Sequence, residues 1–103
     1  KHGFAVSLGI LMALDLSINL GYLKLKDFKS ISKHLKNMSL PTRLKDLSNT
    51  KKWKPSNLLI KMQNDKKIIN NELTFILCKG IGNSFINYKV KEEKILQTIE
   101  NFI

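Results

Sequence analysis

Few residues of this 103-residue chain could do chemistry, and they lie far apart. His2 stands directly ahead of a long apolar run. It can be read as a plain terminal residue, or as a metal ligand or acid/base group at a helix N-terminus. A catalytic zinc needs about three protein ligands and an open position. The other soft donors, His34 and Cys78, come 32 and 76 residues later, in no familiar ligand spacing. His34 falls among lysines and reads as a solvated surface residue; Cys78 falls in a strand-like run and reads as core. Asp65-Lys66-Lys67 is the second candidate. Two lysines at a helix exit can hold a phosphate or carboxylate as point charges, although Lys51-Lys52 shows that lysine pairs recur here. No G-x-S-x-G and no Cys with a His-Asp partner supplies a nucleophile, so no residue is assigned a catalytic role. Gly80-x-Gly82 lacks the third glycine, the following helix and the downstream acid of a dinucleotide fingerprint. Asn37-Met38-Ser39 is a formal glycosylation sequon, idle in a cytoplasmic protein.

The elements that must position these residues are mostly helical. Residues 4–20 form an apolar run with three readings. As a membrane span it is short and carries Asp15 and Asn19, which are costly in hydrocarbon. As a signal peptide it lacks a small-residue cleavage site. A buried helix, apolar on almost every face, fits best, and Gly21 suits its left-handed C′ position. Over residues 25–38, Leu25, Phe28, Ile31, Leu35 and Met38 make one amphipathic stripe, with Lys26, Lys29, Lys33 and Lys36 off it in water. Pro41 closes that segment, Leu40-Pro41-Thr42-Arg43 connects, and Arg43–Leu47 suits a short helical turn. Residues 48–54 are loop-like apart from Trp53. Pro55 can open a helix over 55–64 whose buried face is Leu58, Leu59 and Met62, with Asp65-Lys66-Lys67 as its exit. Residues 73–78 read as a strand after an Asn70-Asn71 turn. Gly80–Asn83 turns the chain into a second strand over 84–88. A helix over 91–103 closes the sequence, with Ile95, Leu96, Ile99 and Phe102 on one face.

Composition bounds the answer further. The chain is long enough for one small domain, 1–103, and its 43% hydrophobic and 25% charged residues suit a folded one. A lone cysteine cannot form an internal bridge and fits a reducing compartment. The formal charge is +10, from 18 basic and 8 acidic residues. That balance would suit nucleic acid or an anionic membrane, but only Arg43 carries the guanidinium fork that specific base readers lean on. Lysine, asparagine and isoleucine make up 39 of the 103 residues. All three have A/T-rich codons, so an A/T-rich genome and a solvated lysine surface are the plainer reading. Neither nucleic acid nor membrane is expected as a partner. The chain begins at Lys1 without a methionine, which suggests the C-terminal piece of a longer protein.

Taken in order, the motifs carry a resemblance. His2-Gly3-Phe4-Ala5-Val6-Ser7-Leu8-Gly9-Ile10 resembles the HGEAVaiGm segment of 3-dehydroquinate synthases. Met62-Gln63-Asn64-Asp65-Lys66-Lys67 resembles their MxxDKK motif. Leu73–Leu77 followed by Gly80-Ile81-Gly82 is similar to their RFVLL…IG hairpin, and Leu40-Pro41-Thr42 sits where the family has its GLP connector. The likeness runs the length of the chain. It implies a mainly α C-terminal domain with a small β-hairpin, detached from an N-terminal NAD-binding α/β domain, the active site lying in the cleft between the two. The implied reaction converts the sugar acid phosphate DAHP to 3-dehydroquinate with loss of phosphate, in the shikimate pathway of aromatic amino acid biosynthesis. NAD transiently oxidises an alcohol and a divalent metal, zinc or cobalt, polarises the reacting oxygens.

By the same resemblance His2 would be one of three metal ligands, and Lys66 or Lys67 would contact an anionic group of the substrate. The other two ligands, a Glu and a His, would come from the missing domain, so this chain alone should bind neither cofactor and be inactive. A cytoplasmic homodimer is implied for the whole enzyme. Phe4 departs from the family, replacing the usual Glu beside the metal-binding histidine, which bears on the support of that ligand. Two other readings stand beside this one: a related sugar phosphate cyclase with another substrate, and a non-catalytic basic helical binding module. A detached domain should also expose apolar surface where its partner docks.

Overall fold

Helix α1 runs from His2 to Asn19. It is rich in Leu, Met and Ala, strong helix formers. A computed structural model describes residues 2–48, 52–65, 75–87 and 90–103. The helix stops as the sequence predicts. Gly21 takes φ +86°, and the Tyr22 and Gly21 amides donate back to the Ser17 and Ile18 carbonyls at 2.9 Å each. That pair of bonds is a Schellman closure, which only a residue tolerant of the left-handed region permits.

Helix α2 (Leu25–Asn37) follows, with Asp27 in its first turn and His34 and Lys36 in its last, both favourable to the helix dipole. It ends in a second Schellman closure: Leu40 N–H bonds to Leu35 O and Ser39 N–H to Lys36 O. Here the left-handed residue is Ser39, at φ +60°. A 3-10 turn, Leu44–Asp46, comes next. Helix α3 (Pro55–Asp65) opens on its proline. Strands β1 (Phe75–Gly80) and β2 (Asn83–Asn87) pair antiparallel, with Ile76 opposite Ile86 and Leu77 opposite Phe85. Gly82 turns them at φ +79°. Helix α4 (Glu92–Asn101) is last. The mainly α architecture with one small hairpin is as expected. β1 runs on to Gly80, past its predicted end, and β2 begins at Asn83, one residue before its predicted start; residues 73, 74 and 88 and the Asn70-Asn71 turn lie outside the described residues.

The core gathers Leu8, Leu11 and Leu14 of α1 with Leu23, Leu44, Leu59 of α3, and Ile95, Ile99 and Phe102 at the C-terminal end. α1 is the hub: it packs on β1, α2 and α4, while α3 packs on α4. Two polar links lock the hub. Ser17, wholly buried, donates to Ala13 O at 2.7 Å and accepts the Cys78 N–H at 3.0 Å, tying β1 to α1. Asp15 Oδ2 accepts from Asn101 at 3.0 Å, and Asn19 donates to Thr98 at 3.3 Å, tying α4 to α1.

Two expectations need correction. α1 is not buried on every face: Phe4, Val6 and Ile10 are 38%, 45% and 48% exposed. An almost uniformly apolar helix has no periodicity to show which face is free, so the sequence could not mark this surface. The α2 stripe is also shorter than its period. Phe28, Ile31 and Leu35 pack on the core, but Leu25 and Met38 at its ends are exposed. No helix among the described residues is long and apolar enough to cross a membrane.

Candidate functional site

The candidate residues begin at the head of α1. His2 is that helix's first residue, and buried Leu8 and Leu11 anchor the following turns in the core. Successive residues advance about 100° around the axis, so positions 2, 6, 9 and 13 follow one face. Gly9 and Ala13 of this face line a groove of about 470 Å³, closed by Met62, Phe75, Ile95 and Ile99. Met62 lies one turn before Asp65, the last residue of α3. The helix that begins at the candidate ligand and the helix that ends in the candidate substrate motif therefore border one groove. Lys66 and Lys67 themselves lie outside the described residues.

A smaller pocket, about 280 Å³, lies against the first turn of α1. Phe4 and Lys36 line it, with Ser39, Leu40, Pro41 and Asp46. The Asp46 carboxylate braces its floor by accepting the backbone N–H groups of Thr42 and Arg43, each at 3.1 Å. At the far end of that connector, Leu44 N–H donates to Phe102 O and the Arg43 guanidinium to Ile103 O, both at 2.7 Å. Periodicity places Lys36 in water, and it is exposed. Its place beside Phe4 went unread because it joins positions 32 residues apart.

The other chemistry-bearing residues do not join this site. His34 is exposed on α2, as expected. Cys78 is half-buried against the core, its amide bonded to Ser17. Among the described residues no three of His, Cys, Asp and Glu come together to hold a metal.

Residues 1–68 match the family model described as 3-dehydroquinate synthase C-terminal. The chain belongs to that family. It is 38% identical over 98 residues to the 3-dehydroquinate synthase of Rhodospirillum rubrum, which covers 95% of this chain and 26% of the relative. It is 37% identical over 99 residues to that of Bartonella quintana, covering 96% of this chain and 26% of the relative. It is 36% identical over 100 residues to that of a Ruegeria species, again covering 96% and 26%. The chain thus spans about a quarter of the length of these relatives. It matches them as a C-terminal part, as the motif order suggested.

Proposed function

We propose that this chain is the C-terminal part of a 3-dehydroquinate synthase that converts DAHP to 3-dehydroquinate with loss of phosphate. Likeness to proteins of that name along nearly the whole chain carries the reading. In the proposal His2, at the head of α1, supplies one of three metal ligands, and Lys66 or Lys67 binds the phosphate or carboxylate of the substrate. The other two ligands, and the NAD site, belong to an N-terminal domain preceding Lys1. The exposed apolar face of α1 at Val6 and Ile10 is the surface we assign to contact with that domain. The whole enzyme is proposed as a cytoplasmic homodimer that uses NAD and zinc or cobalt, with no nucleic acid or membrane partner.

The test takes the full-length protein from its source gene. Phosphate release from DAHP is followed with NAD and zinc or cobalt, beside His2→Ala, Lys66→Gln and Lys67→Gln. Turnover in the wild type is expected, with metal content and activity lost in His2→Ala. One lysine variant should raise KM steeply, which would separate Lys66 from Lys67. A wild type that binds NAD but leaves DAHP unchanged would move the reading to a related sugar phosphate cyclase, with Phe4 the first departure to examine. A wild type without NAD binding would overturn the enzyme reading.

A further inference from the structure

We infer that the outer face of α2 is an anion track that draws substrate toward the first turn of α1, with Lys33 and Lys36 at its working end. The inference rests on the reading above, which makes the substrate a phosphorylated sugar acid. Lys26, Lys29, Lys33 and Lys36 recur at intervals of 3, 4 and 3, so they stand on one face of the helix. All four are exposed. The opposite face is held by the core through Phe28, Ile31 and Leu35, which fixes the direction in which the row points. None of the four makes an ion pair among the described residues. The one acid on α2 is Asp27, half-buried at the far end of the row.

The row is about 15 Å long at 1.5 Å per residue, and it ends at Lys36, which lines the smaller pocket together with Phe4. Phe4 is two residues past His2, so the row runs out beside the turn that carries the candidate ligand. Asp46 is the opposing charge at the pocket, and its carboxylate is already engaged by the Thr42 and Arg43 amides. Lysines suit the task, since an ammonium attracts phosphate or carboxylate as a point charge without demanding one geometry.

Screening sets a graded test. At 0.15 M salt charges are felt over about 8 Å, and at 0.01 M over about 30 Å. Along the axis Lys33 lies about 4.5 Å from Lys36, Lys29 about 10.5 Å and Lys26 about 15 Å. Only Lys33 and Lys36 should therefore act on the pocket at physiological salt, whereas all four act in dilute buffer.

The experiment uses the full-length protein with Lys36→Gln, Lys33→Gln, the pair Lys26→Gln/Lys29→Gln, and all four together. Two quantities are read from 10 to 150 mM salt: KM and kcat for DAHP, and the Kd of inorganic phosphate by calorimetry. Lys33→Gln and Lys36→Gln should each raise KM about twofold at 150 mM, with the loss in KM rather than kcat. The Lys26/Lys29 pair should do so only near 10 mM. The fourfold variant should weaken binding about tenfold at 10 mM and flatten the salt dependence of both quantities. A fourfold variant with unchanged KM, phosphate Kd and salt slope would overturn the track. So would a loss confined to kcat, or equal effects of all four lysines at 150 mM. If the wild type fails to turn over DAHP, the proposed function falls and the phosphate measurements alone decide: salt-dependent weakening in the order given supports the track, and unchanged affinity overturns it.

Discussion

Replacing Ser17 with alanine should loosen the hairpin from the helices while leaving the rest of the fold in place. Ser17 is wholly buried, and its hydroxyl spans the joint: it donates to Ala13 O and accepts from Cys78 N–H. Ala13 O keeps its ordinary helical partner in the variant. Cys78 N–H has no such reserve: alternate amides of a strand face away from its partner, and among the described residues β1 has β2 on one side and Ser17 of α1 at this amide. An unpaired buried donor costs about 1–3 kcal/mol. Alanine returns about 0.5 kcal/mol as the better helix former. The net loss should be about 1–2 kcal/mol, or about 4–8 °C in Tm for each kcal/mol in a chain of this size. Urea unfolding followed by Trp53 fluorescence reads the total, and amide exchange reads where it falls. Exchange at Ile76–Lys79 should quicken more than at Ile95–Ile99. A loss under about 0.5 kcal/mol, or one spread evenly over α4 and β1, would refute the idea that this hydroxyl is the joint.

Three further outcomes can be checked by thermal or urea unfolding. Ser39→Gly should stabilise by about 0.5–1 kcal/mol, because the left-handed conformation strains a residue with a Cβ and not glycine; a lower midpoint would contradict this. Ser7 is buried and its hydroxyl has no partner among the described residues. Ser7→Ala should thus be neutral or gain up to about 1 kcal/mol, and a loss beyond that would reveal a bond to Oγ. Leu11 is fully buried at the centre of the hub. Leu11→Ala should cost about 2–5 kcal/mol, a large part of the roughly 5–15 kcal/mol that holds a domain of this size.

Where the sequence carried a local signal, the fold could be read from it. The α2 stripe, Pro55 at the head of α3, the LTFILC run and Gly21 as a helix stop each state a preference that neighbouring residues satisfy. What escaped reading depends on partners distant in the chain. Ser17 reads as an unremarked polar residue in an apolar helix until Cys78, 61 residues away, is folded onto it. Ser39 in a left-handed closure gives no cue, since serine has little preference for that conformation. The free face of α1 is illegible for the opposite reason, an excess of apolar residues on every side. As for the site, the motif order points to His2 at the head of α1 and to the exit of α3; the described structure puts Gly9 and Ala13 of the one helix and Met62 of the other on one groove, while Lys66 and Lys67 lie outside the described residues. Lys36 was legible only as surface, because its place beside Phe4 is a tertiary fact.

The two bonds that bind the 41–46 connector to Phe102 and Ile103 bear on how the protein emerges during synthesis. Helices α1 and α2 can pair as soon as they leave the ribosome, since their contact with each other is local in the chain. The connector cannot settle in the same way: its anchors are about 60 residues downstream. Until Phe102 clears the exit tunnel, Leu44 has no carbonyl to bond and the pocket beside Phe4 lacks a fixed floor. A ribosome paused within α4 would therefore hold a nascent chain with its helical hairpin formed and its connector still open to protease. Cleavage after Arg43 or Lys45 should mark that interval and cease once Phe102 and Ile103 have left the tunnel and taken up their bonds.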